Sequence, residues 1–228
     1  MTAPADYHDR LNTDLLARLP LGARHVLEIG CGSGVLARAY RSGNPATDYT
    51  GVECDAAAAR RAQLACTRVV LGDIETPACW QALDRLHPAT GWDLFVLGDV
   101  LEHLRDPLAT LSALAARASA DARCVACIPN VGHVSLVYQL LQARWDYADE
   151  GLLDRTHLRF FTQPTMMALF AQAGWEVQAC TARVFEPEAT ERALLPLLEL
   201  APRLGMAPEA MRLHLSAYQW LVEARRSQ

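Results

Sequence analysis

Short apolar runs alternate with longer amphipathic stretches along the chain, and this pattern predicts strands that alternate with helices. The apolar runs that predict strands lie at residues 26–29, 49–53, 67–71, 92–97, 123–128 and 175–185. The Ala- and Leu-rich stretches that predict helices lie at residues 56–65, 107–118, 164–173, 191–204 and 208–213. Strands that alternate with helices are typical of a parallel sheet covered on both faces, so we predict a doubly wound α/β fold.

The first predicted strand runs into a glycine-rich turn, E-I-G-C-G-S-G at residues 28–34. Gly30 and Gly32 let the backbone pass close to a ligand, and Gly34 lets the following helix pack closely on the strand. The carboxylate of Glu28 repels a pyrophosphate but attracts an ammonium group. The dinucleotide fingerprint also needs a small residue where this chain has Val35. The turn therefore favours S-adenosylmethionine, which carries an ammonium and a sulfonium, over NAD.

Acidic residues follow the next predicted strands at the same edge of the sheet. Glu53 lies 23 residues after Gly30, close to the offset of about 20 residues at which an acid meets a ribose diol. After the third strand, Asp73 can accept a hydrogen bond from the adenine amino group, and Ile74 can cover the ring. The full set of predicted cofactor contacts is Glu28, Gly30, Cys31, Gly32, Gly34, Glu53, Cys54, Gly72, Asp73, Ile74, Gly98 and Asp99.

Composition narrows the class of protein. The 228 residues are 51% hydrophobic, which predicts one domain over residues 1–228 with a large core. No apolar run approaches the roughly 20 residues of a membrane helix, and residues 2–10 lack the apolar region of a signal peptide, so we expect a cytoplasmic protein without a membrane span. All 21 basic residues are Arg, which excludes a P-loop lysine or a Schiff base. A net charge of −5 with scattered Arg argues against a nucleic-acid partner.

Seven cysteines occur without paired spacing. Cys124 and Cys127 are separated by two residues, as in some metal and redox motifs, but they lie inside the predicted strand 123–128. Residues three apart on a strand point to opposite faces, so we expect both to pack in the core. We expect the thiols to be reduced, as is usual in the cytosol.

Three further segments carry a family resemblance: G-D-V-L-E-H-L-R-D-P at residues 98–107, I-P-N-V-G-H at 128–133 and L-D-R-T-H-L-R-F-F-T at 153–162. Together with the cofactor motifs, they make the chain resemble the class I S-adenosylmethionine-dependent methyltransferases from about residue 7 onwards. Within that superfamily it resembles a bacterial subgroup that acts on small molecules or saccharides. The resemblance implies a Rossmann-like sheet of seven strands, with the last strand, residues 217–225, antiparallel and inserted in the sheet. It also implies that residues 131–162 form a substrate-side excursion.

The candidate catalytic residues follow the fourth and fifth strands. Asp99, Glu102 and His103 have the spacing i, i+3, i+4, which places three side chains on one helical face. With the later His157 they resemble the E-x-x-E-H plus His metal site of small-RNA 2′-O-methyltransferases, although Asp99 is shorter than the first Glu of that motif. Three interpretations stay open: a divalent metal on Asp99, Glu102, His103 and His157; a metal-free base, His157 or His103 assisted by Glu102; or a structural role. His133 is a further candidate base.

The most direct functional expectation is transfer of a methyl group from S-adenosylmethionine to a hydroxyl of a small molecule or saccharide. Arg155 and Arg159 could pair with a phosphate or carboxylate of such an acceptor. N-methylation of an amino sugar is an alternative that needs less base assistance. A third possibility is an accessory protein that binds the cofactor and regulates a partner enzyme, because a methionine-biosynthesis family shares a similar glycine loop and P-N-x-G-H segment. The sequence leaves the acceptor and the oligomeric state open.

Overall fold

A computed structural model of the chain describes residues 9–227. These residues contain a seven-stranded sheet with the order β3-β2-β1-β4-β5-β7-β6. The strands are β1 (His25–Ile29), β2 (Asp48–Glu53), β3 (Arg68–Leu71), β4 (Trp92–Gly98), β5 (Ala118–Pro129), β6 (Trp175–Arg183) and β7 (Gln219–Arg226). Neighbouring strands from β3 to β5 pair in parallel, whereas β7 pairs antiparallel with both β5 and β6. The predicted fold is confirmed, including the inserted antiparallel last strand.

Helices connect the strands. They are α1 (Thr13–Leu16), α2 (Val35–Gly43), α3 (Ala56–Ala62), α4 (Pro77–Leu86), α5 (Pro107–Ala116), α6 (Val134–Leu141), α7 (Gln163–Gln172), α8 (Pro187–Leu198) and α9 (Pro208–Ser216). Short 3₁₀ turns lie at Leu101–His103 and Ala201–Leu204. Gly174 follows α7 with a φ of +85°, the left-handed conformation typical of a helix end, as predicted.

An apolar cluster packs on each face of the sheet, and successive residues of a central strand point alternately into one cluster and the other. On β4, Phe95 and Leu97 join the cluster that also holds the α5 and α7 side chains. Leu94 and Val96 join the opposite cluster, formed with α1, α2 and α3. Cys124 and Cys127 lie in different clusters and are fully buried. The prediction that these two thiols pack in the core on opposite faces is confirmed, and all seven cysteines are free thiols.

Several predicted element ends differ from the structure. β5 begins at Ala118 rather than residue 123, because residues 119–121 are polar or exposed and carry no apolar signal. α5 correspondingly ends at Ala116 rather than at residue 118, and α3 ends at Ala62 rather than at residue 65. β6 ends at Arg183 rather than at residue 185. The predicted helix 191–204 begins earlier, at Pro187, and its last part is the separate 3₁₀ turn.

Residues 131–162 and the last helices stand over the carboxyl ends of β5 and β6 and the amino end of β7. α6 packs on α8 and α9 through an apolar cluster that includes Val134, Leu194 and Met211. A second small cluster, centred on Leu152 and Leu153, packs residues 142–160 onto α6 through Leu136. These segments form a cap beside the sheet edge, where the sequence predicted a substrate-side excursion.

No helix among residues 9–227 is long and apolar enough to cross a membrane. The expected cytoplasmic location and the single domain over residues 1–228 stay predictions. The start of the family resemblance, near residue 7, and most of the predicted polar segment 2–10 lie outside the described residues.

Candidate active site

The glycine turn joins β1 to α2 at the carboxyl edge of the sheet. Gly30, Gly32 and Gly34 have φ values of +69°, +53° and +81°, a region that side-chain-bearing residues rarely adopt. A Cβ on Gly34 would lie 3.0 Å from Ala62 Cα and from Ala65 Cβ. The close approach that Gly34 permits is therefore to the end of α3, and the predicted close packing of the following helix on β1 is not the reason for this glycine.

Glu28 lies one residue before the end of β1 and is buried. Its Oε2 accepts a hydrogen bond from the Tyr49 hydroxyl at 2.9 Å. Burial raises the pKa of Glu28 to about 8, against the opposing effect of the Tyr49 hydrogen bond. Cys31 packs in the core, close to the space where a Cβ on Gly51 would stand. Glu28 and Cys31 are therefore buried beneath the glycine turn on the side of the core, and the Glu28 carboxyl already has a hydrogen-bond partner in Tyr49.

Glu53, at the end of β2, ties two turns together. Its Oε2 accepts from the Gly32 N–H at 2.8 Å, and its Oε1 accepts from the Asp55 N–H at 2.8 Å. Each carboxylate oxygen has a second lone pair, so ribose hydroxyls can still donate to Glu53. Cys54, the next residue, is exposed at this edge.

The turn after β3 is fixed by acidic side chains. Asp73 Oδ1 accepts from the Glu75 N–H at 2.8 Å, and its Oδ2 lies 3.3 Å from Arg105. Ile74 is buried, and Gly72 approaches Cys79. Asp73 and Ile74 thus lie at the sheet edge, as predicted, and Arg105 connects this turn to the segment after β4.

Asp99 follows β4 and has a φ of +55°. Its Oδ1 accepts from Gln219 Nε2, and Gln219 Oε1 accepts from Arg183 at 2.6 Å. Arg183 also pairs with Asp14 of α1 at 2.6 Å. Burial raises the pKa of Asp99 to about 6, although Arg183 and Gln219 act in the opposite direction. This chain of contacts links β4, β7, β6 and α1 across the sheet edge.

The predicted face of Asp99, Glu102 and His103 does not form. The segment is a three-residue 3₁₀ turn, Leu101–His103, and Asp99 precedes it in a left-handed conformation. Among residues 9–227, the group that can offer ligand atoms within 4.8 Å of one another is Glu102, His103 and His157. The prediction that Asp99 belongs to this group is wrong, because its carboxylate is directed to Gln219.

Glu102, His103 and His157 meet where residues 153–162 cross the turn after β4. His157 Nε2 lies 4.0 Å from Glu102 Oε1, and the two imidazole centroids are 4.8 Å apart. The Glu102 carbonyl accepts from the Leu158 N–H at 2.7 Å and the Arg159 N–H at 3.0 Å. Backbone bonds therefore hold the loop that carries His157 against the turn that carries His103.

Hydrogen bonds define the tautomers of these two histidines. His157 Nδ1 lies 3.2 Å from the Leu152 carbonyl, and His103 Nδ1 lies 3.3 Å from the Thr156 carbonyl. A carbonyl oxygen can only accept, and the Thr156 hydroxyl, 3.2 Å from His103 Nδ1, donates its own proton to Asp154, so each Nδ1 carries the proton. Burial lowers the pKa of both rings. Each Nε2 therefore has a lone pair that can accept a proton or bind a metal ion.

Glu102 is buried deeply. Neither carboxylate oxygen has a hydrogen-bond partner among the described residues, and burial raises the pKa of the Glu102 carboxyl well above its ordinary value. A buried carboxyl without partners is costly. Glu102 therefore needs a proton, a ligand or a cation at this position.

A family model described as a methyltransferase domain matches residues 5–179. The chain belongs to this methyltransferase family. Uncharacterized methyltransferases of Mycobacterium bovis and Mycobacterium tuberculosis are 36% identical to it over 101 residues, 43% of this chain and 47% of theirs, so it matches about half of their length. An Archaeoglobus fulgidus SAM-dependent methyltransferase superposes with a TM-score of 0.63 at 17% identity, covering 97% of each chain. One from Mesorhizobium loti gives 0.58 at 18% identity, covering 98% of each; at such identities the likeness shows the fold.

In this chain the P-N-x-G-H segment has a structural explanation. Asn130 Nδ2 donates to the carbonyls of His214 and Ala217 at 2.8 and 2.7 Å, and its Oδ1 accepts from the Gly132 N–H. His133 begins α6, where its Nδ1 accepts from the Ser135 N–H at 3.3 Å. Burial lowers the pKa of His133 to about 4. The neutral ring therefore carries its proton on Nε2, and its Nδ1 lone pair caps α6.

Two residues predicted to contact an acceptor already have partners within the chain. Arg155 pairs with Asp149 at 2.8 Å, and Arg159 donates to the Arg105 carbonyl. In contrast, Gln219 donates to Asp99, and Arg183 donates to Gln219. Neither residue was predicted from the sequence as part of the site. They lie 120 and 84 residues away from Asp99 along the chain, and neither stands in a motif, so only the register of the inserted β7 could have indicated them.

Proposed function

We propose that this methyltransferase transfers the methyl group of S-adenosylmethionine to a hydroxyl of a small molecule or saccharide. The observation that carries the proposal is the group Glu102, His103 and His157, with two neutral imidazoles that each have a lone pair on Nε2. This group lies at the sheet edge that also bears the glycine turn. A cofactor held by the turn would therefore stand beside a base.

The chain's own residues have distinct parts in this proposal. The backbone of the glycine turn approaches the cofactor, Glu53 accepts from the ribose hydroxyls, and Asp73 with Ile74 contacts the adenine. Gly98 and Asp99 line the methionine side of the edge. Methyl transfer is an in-line displacement from an activated donor, so positioning contributes much of the rate.

A hydroxyl acceptor also has to lose its proton. In the metal-free form of the proposal, His157 Nε2 takes this proton as the methyl–oxygen bond forms and the methyl–sulfur bond breaks. The electron pair of the broken bond stays on the sulfur of S-adenosylhomocysteine. Glu102, 4.0 Å away, stabilises the imidazolium when its carboxyl is ionised.

A second candidate, a divalent metal, is favoured by one specific observation: both Glu102 oxygens lack partners beside two Nε2 lone pairs. Two imidazoles and one carboxylate suit a borderline ion such as Zn²⁺ or Fe²⁺, and the carbonyl partners of both Nδ1 atoms are the supports that metal-binding histidines usually have. Glu102, His103 and His157 would hold the ion. When bound, it would lower the pKa of an acceptor hydroxyl.

Small-molecule acceptors have support from structures with the same fold. A neocarzinostatin-biosynthesis O-methyltransferase was solved with S-adenosylhomocysteine and 1,4-dihydroxy-2-naphthoic acid, and it superposes with a TM-score of 0.55 at 19% identity. N-methylation of an amino sugar would not need His157 as a base. The accessory interpretation stays open, because the folding roles of Asn130 and His133 in the P-N-x-G-H segment suit an enzyme and an accessory protein equally.

The test has two steps. Calorimetry with S-adenosylhomocysteine should show one site per chain, and binding of NADH in its place would overturn the assignment. Radiolabelled S-adenosylmethionine is then offered with 1,4-dihydroxy-2-naphthoic acid and with a panel of saccharides, with and without a chelator. Methyl transfer that resists the chelator supports His157 as base, and transfer that the chelator abolishes without loss of cofactor binding supports the metal. If every hydroxyl acceptor stays unmethylated while an amino sugar reacts, the O-methyl proposal is wrong.

A further inference from the structure

One face of the sheet changes from apolar to charged side chains along β7. On this face, the apolar cluster formed with α1, α2 and α3 extends across the sheet as far as Leu221. The next residues of β7 that point the same way are Glu223 and Arg225, and Arg123 lies beside them on β5. A buried parallel sheet normally continues its apolar cover. This part of the face is therefore polar and lies outside the apolar cluster.

Three arginines surround a cavity of about 260 Å³ on this face. Arg18 reaches it from the end of α1, Arg123 from β5 and Arg225 from β7, and the other polar lining residues are Gln178 and Glu223. Arg123 pairs with Leu94 within β4, not with the strand's carboxyl end at Gly98. The cavity is thus separate from the proposed methyl-transfer edge.

The strand register places two of these charges against each other. Arg123 and Arg225 are directly opposite across the β5–β7 ladder, and like charges at such positions destabilise a sheet. Arg225 is paired with Glu176 at 2.8 Å and Arg18 with Glu223 at 3.3 Å. Within residues 9–227, Arg123 has no carboxylate within ion-pair distance, so two carboxylates stand against three guanidinium groups.

We propose that Arg18, Arg123 and Arg225 form a binding site for a small oxyanion, with phosphate as the chemical group. An oxyanion between Arg123 and Arg225 would replace their repulsion by charge-assisted hydrogen bonds. Guanidinium groups match the oxygens of phosphate, and the cavity is large enough for a pyrophosphate or a phosphate monoester. This inference is independent of the acceptor and of the catalytic residues.

Thermal unfolding with inorganic pyrophosphate tests the site. The protein is kept saturated with S-adenosylhomocysteine, so that the cofactor edge is occupied, and sodium chloride at equal ionic strength is the control for salt. At ten times its Kd, pyrophosphate should raise the wild-type midpoint by about 3–5 °C. Arg123→Gln should weaken pyrophosphate binding about tenfold, because it removes one charge-assisted contact. Arg85→Gln, an exposed arginine on α4, is the matched control and should bind like wild type.

Arg123→Gln also distinguishes the site from an ordinary ion-pair surface. Without pyrophosphate, the variant should unfold at the same temperature as wild type or higher, because it loses the repulsion with Arg225. A lower midpoint without the anion, together with an unchanged response to pyrophosphate, would mean that Arg123 has only a structural role. An equal effect of chloride, or no shift in wild type, overturns the proposal as well.

Discussion

Three histidines at the carboxyl edge differ in where they carry the proton. His103 and His157 donate from Nδ1 to carbonyls, whereas His133 accepts at Nδ1 from a backbone N–H. In neutral rings this leaves a lone pair on Nε2 of the first two and a proton on Nε2 of the third. A sequence shows three equivalent histidines, and only their backbone partners show which rings keep a lone pair on Nε2 and which ring caps a helix.

This difference predicts opposite outcomes for two substitutions. His157→Ala should lower turnover of a hydroxyl acceptor by about 10²–10⁴, the range for a lost general base, and leave S-adenosylhomocysteine affinity unchanged. His133→Asn keeps an oxygen that can cap α6 and removes Nε2, so turnover should stay close to that of wild type. Steady-state kinetics and calorimetry measure both. Near-normal turnover in His157→Ala would exclude this residue as the base.

The pH dependence of the same reaction follows from the histidine pKa. A base must be unprotonated, and burial lowers the pKa of His157. The rate should therefore be level through neutral pH and fall only as the pH drops below the ordinary histidine range. A rate that already falls between pH 8 and 7 would point to a different group with a higher pKa.

Glu53 predicts a loss of cofactor affinity. Glu53→Ala removes the acceptor for ribose hydroxyls and for the Gly32 and Asp55 N–H groups. Hydrogen bonds to charged groups contribute about 1.5–3 kcal/mol, so S-adenosylhomocysteine should bind roughly 10- to 150-fold more weakly. The control is Asp48→Ala, which removes a carboxylate at the start of β2, remote from the carboxyl edge. Equal affinities of the two variants would mean that Glu53 does not contact the cofactor.

At the scale of elements, the glycine turn depends on how closely α3 approaches it. Gly34→Ala should destabilise the protein, because its φ is +81° and a Cβ would lie 3.0 Å from Ala62 Cα; a strained left-handed residue alone costs about 1–3 kcal/mol. Gly43→Ala is the matched control, with nothing within 4 Å of its new Cβ, and should be neutral or stabilising. Urea unfolding compares the two. Similar midpoints would show that α3 can move away.

Elements with an apolar period could be predicted from the sequence, and elements defined by local geometry could not. The cores of β4 and β5 carry continuous apolar runs at residues 94–97 and 124–128, so their positions followed directly. The turn at Leu101–His103 has the spacing of a helix, yet Asp99 adopts a left-handed conformation before it, which helical spacing alone does not reveal. Gln219 reaches Asp99 only through the inserted strand β7, and no local pattern marks such a long-range contact.

At the scale of the whole molecule, the two halves of the sheet carry different segments at their edge. The half from β3 to β4 carries the proposed cofactor edge, and the half from β5 to β6 carries the cap of α6, α8, α9 and residues 142–162. Asp99, Gln219, Arg183 and Asp14 connect the halves. Buried carboxyl groups are concentrated near this edge, and burial raises the pKa of Glu28, Asp99 and Glu102 because it disfavours the charged form.

These carboxyls predict how global stability varies with pH. The pKa of Glu28 rises from 4.5 to about 8 on folding, so the folded state holds this proton more tightly than the unfolded state does. Its contribution to stability is fully present below pH 4.5 and is lost as the pH rises through 8. The slope is up to about 1.4 kcal/mol per pH unit.

Glu28→Gln replaces the protonated carboxyl by a neutral amide of the same shape, and the amide cannot ionise. The free energy of unfolding of the variant should therefore fall less than that of wild type between pH 5 and 8, and at pH 8.5 the variant should be the more stable protein. Urea unfolding at a series of pH values measures the difference, and Glu209→Gln, an exposed residue in the first turn of α9, is the control. Parallel stability curves for wild type and Glu28→Gln would show that Glu28 is ionised in the fold, held by a positive partner.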